Sequence, residues 1–148
     1  GGAFGVLSRS GREPLRGRDA VCPGPPDTLA VVASPGNTIE GLIALAEAEP
    51  GVVGGRIAVN LPSLTVRVSE ILDALEVVAG KAARERVRFE PDPAIAVIVA
   101  GWPSAVDNTR ALRLGLKPDP DFISIIRQFV NDHAIALPRT IRATSMID

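Results

Sequence analysis

Glu90 and Asp92 flank Pro91 and are the nearest approach in this 148-residue chain to carboxylates placed for acid–base work. Their proline-bounded setting also reads as a solvated turn. His133 is the single histidine, so an imidazole metal site has no second ligand. In or after the last turn of a helix, its ring reads as a partner of the helix C-terminus. Cys22 is the single cysteine and has no base beside it, so it reads as a small buried apolar side chain rather than a nucleophile. It cannot form an internal disulfide, which points to a reducing, cytoplasmic compartment. Tyrosine is absent from the chain.

These residues sit in a chain with 46% hydrophobic and 3% aromatic residues, so a core must be Val, Ile, Leu and Ala. Its length fits one ordinary domain. With 16 basic and 17 acidic residues, net charge −1, it shows no basic stripe. Four Phe without Tyr cannot build a base-stacking platform. Nucleic acid is therefore not an expected partner. No apolar run approaches the roughly 20 residues a membrane helix needs, so no membrane partner is expected. Gly1 to Leu15 has arginines but no apolar h-region, and the GGAFG start suggests a chain that begins inside a longer product.

The stretch Pro91–Gly115 joins an acidic turn, a short apolar run and the only tryptophan, Trp102, to a helix capped by Asp107 and closed by Gly115. Other elements must position it. Arg12–Leu15 leads into a loop, and the prolines of residues 22–27 enforce another. Thr28–Ala33 reads as a strand. Ser34 caps a helix with Pro35 at its first position and Ile39, Leu42, Ile43 and Ala46 on an apolar face. Arg56–Asn60 and Arg86–Glu90 read as further strands, with Asn60 a strand-end hydrogen bonder. A helix from Val68 to Ala79 buries Ile71, Leu72, Leu75 and Val78 and stops at Gly80; its start lacks an ordinary capping residue, with Arg67 three before Glu70 and Thr65 an alternative. Asp119-Pro120 opens the last helix, whose apolar face is Phe122, Ile125, Ile126, Phe129 and Val130. The pattern is locally α+β, or the trailing part of an α/β fold. Residues 134–148 show no clear period and read as a tail following residues 1–133.

Landmarks in a fixed order carry a family resemblance: REPL at Arg12–Leu15, the Cys22-Pro23 loop, SPGNTIEGLI at Ser34–Ile43, AVNLP at Ala58–Pro62, LTVRVSEILDALEVVAG at Leu64–Gly80, RFEPDPAI at Arg88–Ile95 and GWPSAVDNTRALRLGL at Gly101–Leu116. Together they resemble the C-terminal, substrate-lobe part of an extended short-chain dehydrogenase/reductase of the NAD-dependent epimerase/dehydratase type. The resemblance implies an α/β Rossmann-type parent fold, with Arg56–Asn60 as the last strand of its dinucleotide-binding sheet. It implies NAD as cofactor, bound mainly by residues outside this chain. It also implies a homodimer formed through helices outside this chain. The family's Gly-rich turn and catalytic Tyr-x-x-x-Lys have no counterpart here, so no catalytic, cofactor-binding or metal residue is expected within these residues.

In the sugar-nucleotide epimerases the loop matching Arg88–Ile95 carries an arginine for the diphosphate. Here Glu90 and Asp92 would repel one, which favours a small hydroxy acid such as a sugar acid. Family position and charge then make Arg12 and Arg9 candidates for the acid's carboxylate, Ser8 and Ser10 for its hydroxyls, and Trp102 for a pocket wall. Both arginines also read as solvated side chains and Trp102 as a packing anchor. Two functions follow: the substrate-binding portion of an NAD-dependent oxidoreductase or epimerase, or a truncated, non-catalytic interaction or oligomerisation module.

Overall fold

The computed structural model describes residues 11–49, 51–54 and 58–137. The first surprise lies in residues 11–15, expected to lead into a loop: they are helical, and Leu15 is buried in the core. Next comes β1 (Ala20–Cys22), a three-residue strand not expected from the sequence, which runs directly into the proline-rich loop. Cys22 is fully buried, as expected of an apolar thiol, with its sulfur 3.8 Å from the Gly24 carbonyl.

The proline-rich loop has a structural task. Its Pro26 and Thr28 carbonyls accept from Ser69 and Val68 at 2.9 and 3.0 Å, the first amides of α2 (Val68–Ala79). Those amides have no partner within their own helix. The unusual cap at Arg67 is resolved in the same way. The Arg67 amide donates to the Glu70 carboxylate, half of a capping box, and the guanidinium, which cannot accept, reaches the Asp27 carbonyl at 3.4 Å. Thr65 is not the cap; it lies in β3 (Leu64–Arg67).

β2 (Leu29–Val32) pairs antiparallel with β3, from Leu29 opposite Arg67 to Val32 opposite Leu64. β4 (Val87–Phe89) pairs parallel with β1, Ala20 opposite Val87. Residues 55–57, the start of the expected strand Arg56–Asn60, lie outside the described residues, and residues 58–60 carry no strand.

α1 (Pro35–Glu47) starts as expected, with the Ser34 hydroxyl accepting from the Asn37 amide at 3.1 Å. Its apolar face is not covered: Ile39, Leu42 and Ile43 are 55, 56 and 51% exposed. The buried residue is Gly41, which a Cβ would bring to 2.8 Å from the Leu61 side chain. α2 carries the core. Ala74, Leu75 and Ala79 pack with Leu15, with Ala83 of α3 (Lys81–Arg84) and with Ile126 of α6 (Phe122–Asp132). Gly80 ends α2 at φ +84°.

The short apolar run after Pro93 is a helix, α4 (Pro93–Ala100). Asp92 is its cap and accepts from Ala94 at 2.8 Å. Apolar on every side, α4 has no amphipathic period to betray it. α5 (Thr109–Arg113) is shorter than expected. The cap position of α5 is Asn108 rather than the expected Asp107, which stands one residue earlier and accepts from the Thr109 amide at 2.8 Å; Gly115 closes the turn at φ +81°. Asn108, between them, exchanges two hydrogen bonds with the Ser63 backbone, at 3.1 and 2.9 Å. The cap of α6 is Asp121 rather than Asp119: the Asp121 carboxylate accepts from Ser124 at 2.7 Å. Asp119 is committed elsewhere, for it accepts from the Ser34 amide at 2.8 Å and hydroxyl at 2.7 Å.

Candidate functional site

α6 presents Phe122, Ile125, Ile126 and Phe129 at helical spacing, and that face lines a cavity of about 500 Å3. β2 and the residues after it form a second wall, the helical residues 11–15 a third, and Trp102, Pro103 and Val106 a fourth. The volume lies in the range of small-molecule sites. Its lining is apolar but for Arg12, the one charged side chain among the described lining residues. Of the expected contacts, Arg12 and Trp102 therefore meet at one cavity. Ser8, Arg9 and Ser10 lie outside the described residues.

Arg12 is held by an aromatic ring: its guanidinium carbon lies 5.2 Å from the Phe129 ring centre. A cation over a ring face is attracted by the ring quadrupole. Arg16 lies over the same ring at 6.0 Å. His133 stacks on Phe129 with centroids 4.1 Å apart, and its Nδ1 lies 2.9 Å from the Phe129 carbonyl, so it partners the helix C-terminus as expected. Phe129 and Arg16 were not among the expected site residues. The four-residue spacing of Arg12 and Arg16 is the signal in the sequence, but only the fold reveals the ring they share.

A second concavity is lined by Glu13, Asp19 and Asp92 together with Arg18. Its charges are committed: Arg18 pairs with Glu13 at 3.2 Å, Asp19 with Arg86 at 3.1 Å, and Asp92 caps α4. Three carboxylates there disfavour an anionic ligand. Glu90 and Asp92 form no acid–base pair, since Asp92 serves α4 and Glu90 faces Arg88 at 3.9 Å. Among the described residues no group of three His, Cys, Asp or Glu could hold a metal ion. No helix among them is long and apolar enough to cross a membrane.

The start of α1 does not fit a pyrophosphate. β2, Ser34 and α1 form a strand–turn–helix unit, the kind of unit whose helix N-terminus receives a pyrophosphate elsewhere. Here the Asp119 carboxylate already takes the Ser34 amide and hydroxyl, and a second anion would be repelled.

The two small sheets and packed helices are those of part of a Rossmann-type epimerase or short-chain dehydrogenase/reductase. A nucleoside-diphosphate-sugar epimerase from Agrobacterium tumefaciens superposes with a TM-score of 0.87 at 34% identity, over 92% of this chain and 40% of that one. L-threonine 3-dehydrogenase from Trypanosoma brucei shares the fold, with a TM-score of 0.75 at 21% identity over 93% of this chain and 43% of that one. Within this class the chain is similar to D-erythronate dehydrogenase. It is 40% identical to the Haemophilus influenzae protein over 128 residues, 86% of this chain and 41% of that protein. With the Cupriavidus necator protein the identity is 38% over 84% of this chain and 39% of that protein. No family model matches. The chain thus spans about 40% of the length of its curated relatives and resembles the C-terminal part of an extended short-chain dehydrogenase/reductase.

Proposed function

We propose that this chain is the substrate-binding portion of an NAD-dependent oxidoreductase or epimerase that acts on a small sugar acid such as D-erythronate. The observation that carries the reading is the meeting of Arg12 and Trp102 at one cavity, in a chain 40% identical to D-erythronate dehydrogenase over 86% of its length. Arg12 supplies a fork for a carboxylate. Trp102 and the α6 face supply an apolar wall for the carbon chain. Residues 1–133 make up this portion.

Hydride and proton transfer belong to other residues. The chain has no tyrosine to pass a proton to a substrate oxygen, and the turn before α1 is closed to a pyrophosphate by Asp119. NAD supplies the hydride chemistry when bound to a dinucleotide-binding half. We assign the exposed α1 stripe of Ile39, Leu42 and Ile43 to the surface that such a half covers. That assignment follows from the share of its relatives' length that this chain spans. The same stripe favours the second reading, a non-catalytic module that pairs through its apolar face.

The single tryptophan makes the two readings separable. D-erythronate added to the chain is expected to shift or quench Trp102 fluorescence in a saturable way, and less so in Arg12→Gln. A flat titration in the wild-type chain leaves the module reading and removes the first.

A further inference from the structure

The Phe129 ring, which lines the cavity, gathers two cations. The Arg12 and Arg16 guanidinium carbons lie 5.2 and 6.0 Å from its centroid. Arg12 is in the helical stretch 11–15 and Arg16 in the turn that ends it, where the Arg16 amide donates to the Glu13 carbonyl at 3.0 Å. Like charges four residues apart repel and lower the stability of the turn that carries them. Among the described residues, neither guanidinium has a carboxylate partner. The nearest carboxylate in sequence, Glu13, is taken by Arg18 at 3.2 Å. The ring itself is braced by the stacked His133 ring at 4.1 Å and by its place on α6.

Two guanidiniums drawn to one ring, that of Arg12 lining an apolar cavity and neither with a carboxylate partner among the described residues, form the complement of a ligand carboxylate. An anion placed between them gains charge-assisted hydrogen bonds and relieves their mutual repulsion. We infer that Phe129 is a positioning residue that holds Arg12 and Arg16 as one clamp, and that Arg16 is a second contact for the ligand's carboxylate. The inference rests on the reading of the cavity as the acid's site.

The test is an NMR titration of the whole 148-residue chain with D-erythronate, in the wild type and in Arg12→Gln, Arg16→Gln, Phe129→Leu and Phe129→Tyr. Arg16→Gln and Phe129→Leu are each expected to weaken binding about threefold or more, the scale of an exposed ion pair or cation–π contact. Phe129→Tyr keeps the ring and is expected to bind like the wild type. The arginine Nε–Hε signals of residues 12 and 16 are expected to carry the ring-current shift of Phe129 in the wild type and in Phe129→Tyr, and to lose it in Phe129→Leu. A purely structural Phe129 would not move those signals selectively. Should Phe129→Leu fail to fold, Arg16→Gln, at an exposed position, decides. If Arg12→Gln weakens binding while Arg16→Gln does not, the clamp is overturned and the cavity reading stands. If Arg12→Gln binds like the wild type, or the wild type does not bind, the cavity reading falls and the clamp with it.

Discussion

Asp119 shows how much a single side chain can settle in this molecule. Its carboxylate satisfies both polar groups of Ser34, which is 1% exposed, and so ties the start of α1 to the segment before α6. Removing it leaves a buried amide and hydroxyl without their acceptor. Asp119→Ala is expected to lower unfolding stability by about 2 kcal/mol in urea titrations. A loss near zero would show that water replaces the carboxylate. The Ser34 cap was legible in the sequence, because serine followed by proline is a local signal. Its partner 85 residues away was not, and this is why Asp119 reads from the sequence as the cap of α6. Asp121, two residues on, has the geometry instead.

Two carboxylates at helix starts also set a pH dependence. The Asp121 carboxyl is held below its usual value of 3.8, first by the Ser124 amide and then by the Ser124 hydroxyl. Asp107 is held below the same value, first by the Thr109 hydroxyl and then by its amide. A carboxyl whose folded value is lowered binds protons more readily when unfolded. Its contribution is therefore fully present above 3.8 and is lost as pH falls through the lowered folded value. Melts between about pH 5 and about pH 2 are expected to fall more steeply for the wild type than for Asp107→Ala/Asp121→Ala. Parallel curves would contradict the assignment.

At the scale of elements, α2 is the part on which the rest packs. Its period of Ile71, Leu72 and Leu75 was legible because one face is apolar and the other charged. Leu75 is fully buried, so Leu75→Ala is expected to cost about 2 to 5 kcal/mol in equilibrium unfolding. Two helix ends make an opposed pair. Gly80 has φ +84° with open space where a Cβ would stand, so Gly80→Ala is expected to destabilise by about 1 kcal/mol through the backbone alone. Ala134 has φ +48° after α6, and Ala134→Gly is expected to raise stability by a fraction of about 1 kcal/mol. The same sign for both in thermal melts would sink this account of the two ends. β1 and α4 were not legible, for different reasons. Ala20–Cys22 runs straight into the proline loop that dominates the local pattern, and an all-apolar octet shows no alternation at all.

For the whole molecule, the cavity was legible only in part. Arg12 and Trp102 were singled out by their places in a family pattern, and the fold brings them to one wall system from 90 residues apart in the chain. Local pattern could not show Phe129 as more than a core-facing residue of α6, because its contact with Arg12 depends on where residues 11–15 land. The α1 face taught the reverse lesson. Its period is that of a buried stripe, yet its residues are more than half exposed. An apolar period on a helix therefore does not by itself say that the helix face is buried. Ile39→Gln/Leu42→Gln/Ile43→Gln is expected to leave the melting temperature of this chain within about 3 °C of the wild type, since half-exposed positions contribute little core. A large drop would show that the face is covered within the chain itself.

The central claim is that the cavity walled by α6 and Trp102 receives a sugar acid by its carboxylate. The most direct measurement is the structure of this chain with D-erythronate, by crystallography or by intermolecular NMR contacts. The account predicts the carboxylate at the Arg12 guanidinium and the carbon chain against Trp102. The acid seated elsewhere on the chain, with both residues untouched, would contradict it.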